Sequence, residues 1–183
     1  SLPGGAVGER RLIRKSQPLR DWDFLFEAAG PGSTYVFSPQ AHRSLVGVLA
    51  RLDYSQIGVH DWYVYALARA IGLTWVIGEE PTLEYRQHGG NVQGANSGAG
   101  ARDARMEKLR NGFYRDQFIR TGRAAQAVGT FDAPRRIELA AILRELEADG
   151  QWARLRFALR WSQIRRDRLE GLKLAAARVL RVW

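Results

Sequence analysis

The chain has 183 residues, of which 45% are hydrophobic and six are Trp, so it can bury the core of one ordinary domain. It has no Cys, which excludes a disulfide framework, a thiolate nucleophile and a zinc ribbon and fits a reducing compartment. The formal net charge is +9, and residues 151–183 alone carry nine Lys or Arg against two Asp or Glu. Because the middle of the chain is neutral and its C-terminal part is basic, the expected binding partner is an anionic surface. A nucleic-acid-binding fold would be more uniformly basic.

The first third of the chain alternates breaks with short periodic segments. Residues 1–20 are rich in Gly and Pro among basic residues, which predicts an irregular connector. Residues 21–29 have a helical pattern, residues 30–32 break it, and residues 34–38 are β-branched and aromatic, as in a short strand. A helix is then predicted from Pro39 to about Leu52.

The next segment extends this alternation. The pair His60-Asp61 begins a predicted helix that runs through Ile71, where Gly72 can end it in a left-handed conformation. Residues 74–77 form a second predicted strand, so an α/β layer is expected. Residues 89–101 contain five Gly and little that packs, which predicts a mobile loop.

The last eighty residues change to a helical pattern. Met106, Leu109 and Phe113 fall on one helical face, and Asp132-Ala133-Pro134 is typical of a helix start. An apolar stripe follows, which Gly150 closes; it consists of Leu139, Ile142, Leu143 and Leu146.

The final helix, predicted over residues 169–183, is basic and amphipathic. One side holds its apolar residues and the other Glu170, Lys173, Arg178 and Arg181; the apolar ones are Leu169, Leu172, Ala176, Val179, Leu180 and Trp183. Such a helix can lie on an anionic membrane surface, or it can pack on the domain with a solvated basic face. No nucleic-acid-binding motif accompanies the charge, so nucleic acid is not an expected partner.

The triplet His60-Asp61-Trp62 has two interpretations. Asp61 at a helix N-terminus can be a cap, since Asp is among the commonest capping residues. It can also be a general base, because the helix field favours the ionised carboxylate that such a base needs. His60 then adds a proton carrier, and Trp62 adds a flat platform on which a sugar could stack.

A second polar cluster surrounds His88. Between Gln87 and Gly89, this His can donate to phosphate oxygens or bind a divalent metal, and Arg86 can add a bidentate phosphate contact. The alternative is a loop histidine with a satisfied backbone bond. The chain has only three His and no Cys, so it offers no evident zinc site.

Two motifs carry a resemblance to a known family. His60-Asp61-Trp62-Tyr63-Val64-Tyr65, followed by residues 80–96 with the sequence EPTLEYRQHGGNVQGAN, resembles the C-terminal half of bacterial family 2 glycosyltransferases, especially the rhamnosyltransferase-like members. The upstream segment AGPGSTYVF, residues 29–37, is similar to the part of these enzymes before the acceptor site. The resemblance covers roughly residues 22–96.

The resemblance implies an α/β GT-A fold followed by a mainly helical tail, and an enzyme that transfers a sugar with inversion. Asp61 would be the catalytic base. The acceptor, a saccharide or a lipid-linked saccharide, would be bordered by Gly30, Gly32, Ser33, His60 and Trp62. The diphosphate of the nucleotide-sugar donor would be contacted by Arg86, Gln87, His88 and Asn91. The resemblance also implies a divalent metal, Mg²⁺ or Mn²⁺, with His88 as one candidate ligand and its main ligands in an N-terminal half. A cytoplasmic location is expected, peripheral at the inner face of the membrane.

Three regions are therefore expected: a connector over residues 1–20, an acceptor-side half of a GT-A-like domain over 21–101, and a helical extension over 102–183. In this family the nucleotide-binding half ends in a metal-binding motif of the Asp-any-Asp type, and no residues before position 22 supply it. Asp21-Trp22-Asp23 matches this pattern of residues, but it is not expected to bind the metal. The expectation is thus the C-terminal portion of a longer enzyme or a truncated gene product. The rival hypothesis is a non-catalytic helical module that docks on a membrane or an acidic partner through its basic tail.

Overall fold

The computed structural model describes residues 15–80 and 99–183, and it is helical in both parts. Short 3-10 helices cover Asp23–Leu25 and Gly32–Thr34. The α-helices are α1 (Pro39–Leu49), α2 (His60–Ala70), α3 (Ala99–Arg110), α4 (Phe113–Val128), α5 (Ala133–Glu147), α6 (Gln151–Ala158) and α7 (Arg168–Val179). None of these helices is long and apolar enough to span a bilayer.

Helix α4 lies at the centre, with α2, α3 and α5 against it, and α6 connects α5 to α7. The α4–α5 crossing is close at Gly122, where a Cβ would lie 2.8 Å from Leu143 Cδ2. The main core is aromatic: Phe26 lies 4.9 Å from Phe118 and 5.6 Å from Phe157, measured between ring centroids. This one cluster unites residues before and after position 101, so the two larger predicted regions share a core.

The predicted helix over residues 21–29 is wrong: the structure has only the 3-10 turn Asp23–Leu25. The reason is tertiary packing, because Trp22, Phe24 and Phe26 are all buried and a regular helix would turn some of them outward. Asp23, which is also fully buried, is held between these aromatic residues and α2.

The two predicted strands, residues 34–38 and 74–77, are irregular, and no residue in the described parts of the chain belongs to a β-strand. Burial nevertheless alternates along both segments as it does in a strand. Tyr35 and Phe37 point toward Trp75, with ring centroids 4.9 and 5.9 Å from it, while Val36 and Val76 face solvent. The α/β layer and the GT-A fold stay predictions.

Three helix ends follow the sequence signals closely. The predicted start of α1 is confirmed: Ser38 caps it by accepting a hydrogen bond from Ala41 N, and Pro39 is its first residue. The predicted start of α5 is confirmed in the same way by Asp132, which accepts from Arg135 N. Gly72, with φ of +78°, follows α2 as expected.

The face predicted for Met106, Leu109 and Phe113 is divided between two helices. The chain turns at Asn111-Gly112, where Gly112 has φ of +80°, and Phe113 is the first residue of α4. Gly150 precedes α6, whereas α5 ends at Glu147. The stripe predicted on α5 is confirmed, because all four of its residues are buried.

The last helix differs from its prediction in extent and in orientation. It ends at Val179, and Arg181 takes a left-handed φ of 58° that returns Trp183 to the core. The side of α7 that faces the protein holds Gly171, Leu174, Ala175 and Arg178. The predicted apolar side is therefore wrong as a packing face, because Leu169, Leu172, Val179 and Leu180 are exposed.

The basic charge of residues 151–183 is largely used inside the protein. Arg160 pairs with Glu145 and Glu138, and Arg166 with Glu27. Three further arginines donate to backbone carbonyls, namely Arg154, Arg165 and Arg178. The expected broad basic face is thus reduced to four exposed cations in this region: Arg156, Arg168, Lys173 and Arg181.

Candidate active site

Asp61 lies in the first turn of α2, half-buried, with a backbone amide at each carboxylate oxygen. Oδ1 accepts from Trp62 N at 2.8 Å and Oδ2 from Gly32 N at 3.3 Å. Asp61 is the second residue of α2, and the N-cap is Val59, which makes no side-chain cap hydrogen bond, so the N-cap interpretation of Asp61 is wrong. The contact with Trp62 N still satisfies an amide of the first turn. The second ties the carboxylate to a loop 29 residues earlier in the chain.

The loop over residues 30–34 lies directly against the start of α2. A Cβ on Gly32 would stand 2.9 Å from Asp61 Cβ and 3.9 Å from His60 Nε2, so only glycine allows this approach. Gly30 is fixed by Tyr35, whose hydroxyl donates to Gly30 O at 3.0 Å, and Ser33 is exposed at the rim. The structure therefore brings together four residues predicted to border the acceptor with the predicted base.

Trp62 lies elsewhere than expected. Its ring is 4% exposed, packs 5.4 Å from the Phe118 ring, and donates from Nε1 to Phe24 O at 2.8 Å. An indole held in the core on both faces offers no surface for a sugar to stack on. This burial corrects the expectation of an exposed platform, because residue 62 falls on the inward side of α2.

Tyr35 is a site residue that the sequence did not single out. Burial, together with the negative charge of the nearby Asp61, raises the pKa of its phenol to about 12. Its hydroxyl therefore keeps its proton at neutral pH and acts as a donor to Gly30 O. The only feature of the sequence that could have indicated a role for Tyr35 is its position two residues after Ser33, which was predicted to border the acceptor.

A buried polar network supports the site from below. Asp23 accepts from Tyr65 Oη at 2.9 Å and from Arg69 Nη1 at 3.1 Å, which joins residues 22–26 to α2. Burial raises the pKa of Asp23, and the Arg69 guanidinium partly offsets that effect. Arg166 also reaches this region and donates to Ala28 O at 2.7 Å, just before the glycine loop. Neither arginine was foreseen as a support of the site.

The predicted donor-side residues, Arg86, Gln87, His88 and Asn91, lie outside the described residues. Within residues 15–80 and 99–183, no group of three or more His, Asp or Glu is placed to hold a metal ion. The described residues therefore provide no fit for the implied Mg²⁺ or Mn²⁺. His88, the one predicted ligand, remains a prediction.

The arrangement can position a carboxylate for proton transfer. The Asp61 carboxylate is half-buried, and two backbone amides orient it. The loop beside it contains Gly30 and Gly32, which have no side chains to occupy the space in front of the carboxylate. His60 is exposed beside it. A ligand hydroxyl that approaches over the loop would meet a carboxylate whose rotamer is already set.

Comparison with known proteins finds similarity to a protein named as a sugar transferase. Over 119 residues the chain is 35% identical to a Shigella flexneri protein named dTDP-rhamnosyl transferase RfbG. This similarity supports a glycosyltransferase-like relationship. The aligned part covers 64% of this chain and 41% of that relative, so the chain spans less than half of the relative's length. No family model matches the chain, and no solved structure matches it.

Proposed function

We propose that this chain carries the acceptor side and the catalytic base of an inverting glycosyltransferase of the family 2, GT-A type. The donor is a nucleotide-diphosphate sugar, and the acceptor is a saccharide or lipid-linked saccharide used for cell-surface polysaccharide. The observation that carries the proposal is the Asp61 carboxylate, fixed by Gly32 N and Trp62 N beside the glycine loop. The relative's name supports dTDP-rhamnose as the donor to test first.

In the proposed reaction, a hydroxyl of the acceptor lies over Gly32 and donates to a carboxylate oxygen of Asp61. As the hydroxyl oxygen attacks the anomeric carbon, its proton passes to Asp61. The bond between that carbon and the donor phosphate oxygen breaks on the opposite side, and the nucleoside diphosphate leaves with the electron pair. The sugar is transferred with inversion, and the protonated Asp61 then returns its proton to solvent.

The chain's contribution to this step is mainly orientation. Two backbone amides leave the carboxylate one rotamer, which places the accepting oxygen before the acceptor arrives. Tyr35 holds the Gly30 carbonyl, and Arg166 holds the Ala28 carbonyl, so the chain that enters the loop beside the base is fixed. Arg86, Gln87, His88 and Asn91 are proposed to face the departing diphosphate.

The test is the variant Asp61→Asn, made in the protein expressed from its whole gene and assayed for transfer of labelled sugar from dTDP-rhamnose. Loss of a general base should lower kcat by about 10²–10⁴-fold. The amide keeps the size of the side chain and one acceptor oxygen, which can still serve Trp62 N, while the longer bond from Gly32 N is lost, so the thermal midpoint should fall only slightly. Asp53→Asn is the matched control, because Asp53 also accepts a backbone amide, from Ser55, but is exposed in another loop.

Asp53→Asn should transfer sugar at the parent rate. Full activity in Asp61→Asn, with an unchanged thermal midpoint, would remove Asp61 from the role of base. If the parent protein transfers no sugar from dTDP-rhamnose or from other nucleotide sugars, the transferase proposal itself fails.

A further inference from the structure

Helices α6 and α7 carry large apolar side chains on the side that faces away from the protein. On α6 and just beyond it, Trp152 is 75% and Leu159 80% exposed. On α7, Leu169 is 59% and Leu172 50% exposed, and Leu180 just after the helix is 74% exposed. We call these residues, with Leu155, Ala176 and Val179, the outer face.

The outer face is not needed to fold the helices. Helix α6 packs inward through Arg154 and Phe157, and α7 packs inward through Leu174, Ala175 and Arg178. The outer residues recur at spacings of three and four on the opposite sides, so each helix has two apolar sides of which one is covered. Leaving the second side in water is unfavourable in proportion to its apolar surface.

The exposed charges that border the outer face are mainly basic. Arg156 lies one turn from Trp152 on α6, and Lys173 lies one turn from Leu169 on α7. Arg168 and Arg181 are exposed at the two ends of α7. The exposed acids of residues 151–183 are Asp167 and Glu170, and Glu170 is paired with Lys173.

We propose that the outer face is a docking surface for an anionic lipid bilayer. Leucines, valine and one Trp that project once per turn are side chains that insert among acyl chains and headgroups, and the exposed basic residues beside them favour an anionic surface. The flanking arginines and Lys173 can extend to lipid phosphates while their stems follow the apolar side chains. Trp152 suits the interface, since its ring has an apolar body and a polar N–H.

The structure also bears on whether apolar insertion or electrostatic attraction contributes more to membrane binding. Five of the nine cations in residues 151–183 are held by internal carboxylates or carbonyls, through Arg154, Arg160, Arg165, Arg166 and Arg178. Apolar insertion must then supply most of the affinity, and the few exposed cations select anionic lipid. Binding should therefore weaken with salt but persist at about 0.5 M, where the Debye length is only about 4 Å.

The experiment is flotation of the chain with vesicles of phosphatidylcholine alone or mixed with phosphatidylglycerol. The parent chain should float with the mixed vesicles and much less with phosphatidylcholine alone. Leu172→Glu should reduce the partition coefficient about tenfold or more, since it places a carboxylate among the inserted side chains. Val46→Glu is the control: Val46 is also 50% exposed and helical, but it lies on α1, away from α6 and α7.

Val46→Glu should float like the parent, and circular dichroism should show both variants folded. The proposal is overturned if the parent chain does not float, or if Leu172→Glu floats as well as Val46→Glu. It is also overturned if light scattering shows a dimer that Leu172→Glu dissociates while vesicles bind nothing, because a second copy would then cover the outer face. The readout is partition, so it is independent of whether the chain transfers sugar.

Discussion

Gly32 shows how one missing side chain can set the position of a reactive group. Its N–H donates to Asp61 Oδ2, and its bare Cα lets the loop approach α2 where any Cβ would meet Asp61. It was expected to border the acceptor by leaving room for it. In the structure it also orients the proposed base, which makes it a positioning residue.

Gly32→Ala should lower kcat for sugar transfer by about 10–100-fold, because the added methyl group must push the Asp61 carboxylate or the loop aside. Its stability should fall by about 1 kcal/mol or more, as overpacking does. Steady-state kinetics and urea unfolding measure the two effects.

Gly47→Ala is the matched control, since a Cβ on Gly47 meets nothing within 4 Å and the residue is inside α1. It should transfer at the parent rate and gain about 0.5–1 kcal/mol of stability from its better helix propensity. Unchanged kinetics in Gly32→Ala would show that the loop yields without moving the carboxylate, and would remove the positioning role.

Part of this site could be predicted from residue order alone. His60-Asp61 at a helix start and a Gly-Pro-Gly break are local signals, and the structure places the two motifs in contact. The sequence could not show which of these side chains would be buried and which would be exposed. Whether Trp62 faces a sugar or the core depends on Phe24 and Phe118, which are distant in sequence.

At the scale of elements, the guanidinium of Arg178 ties the end of α5 to the end of α7. It donates to Ala148 O at 2.7 Å and to Trp183 O at 3.0 Å, with longer bonds to Glu145 O and Leu146 O at 3.3 Å. Burial, together with the positive charge of Arg115, lowers its pKa to about 10. It is still charged at neutral pH, which strengthens each bond.

Arg178→Met should therefore destabilise the protein by about 2–4 kcal/mol, because several carbonyls of a helix end lose their donor. Lys173→Met, on the exposed side of the same helix, should change stability by less than about 0.5 kcal/mol. Urea unfolding of both variants gives the comparison. If both variants lost equally little stability, water would be serving as hydrogen-bond donor to these carbonyls in place of the guanidinium.

The sequence predicted a final helix over residues 169–183 and named only one apolar side, the one with Leu169 and Leu172. The helix also has a second apolar stripe, which contains Leu174 and Ala175 and is the one that packs. Periodicity does not distinguish the two stripes. In the structure α7 approaches the protein so closely at Gly171 that a Cβ there would collide with the Trp161 carbonyl oxygen.

For the whole molecule, the last residue belongs to the core rather than to a separable tail. Trp183 is 7% exposed, and its ring lies 5.5 Å from both Phe118 and Phe157. Helices α4, α6 and the chain end thus meet at one indole. The predicted extension over residues 102–183 has no core of its own within the described parts of the chain.

Trp183→Ala should lower the free energy of unfolding by about 3–5 kcal/mol, as expected for a large aromatic side chain removed from a core. Trp152→Ala removes the same atoms from a site that is 75% exposed, and should change it by less than about 0.5 kcal/mol. Thermal and urea unfolding should also show a single transition in the parent chain. A small effect of Trp183→Ala would mean that the chain end frays in solution.

The internal arginines near the C-terminus also bear on how this sequence can vary. Arg160 binds Glu145 through two nitrogens, and Arg166 and Arg178 each donate to several oxygens at once. Lysine has one ammonium group and cannot reproduce such forked contacts. An Arg-to-Lys exchange, neutral on most surfaces, would be harmful at these positions. The arginine content of this region therefore records internal geometry more than selection for positive charge.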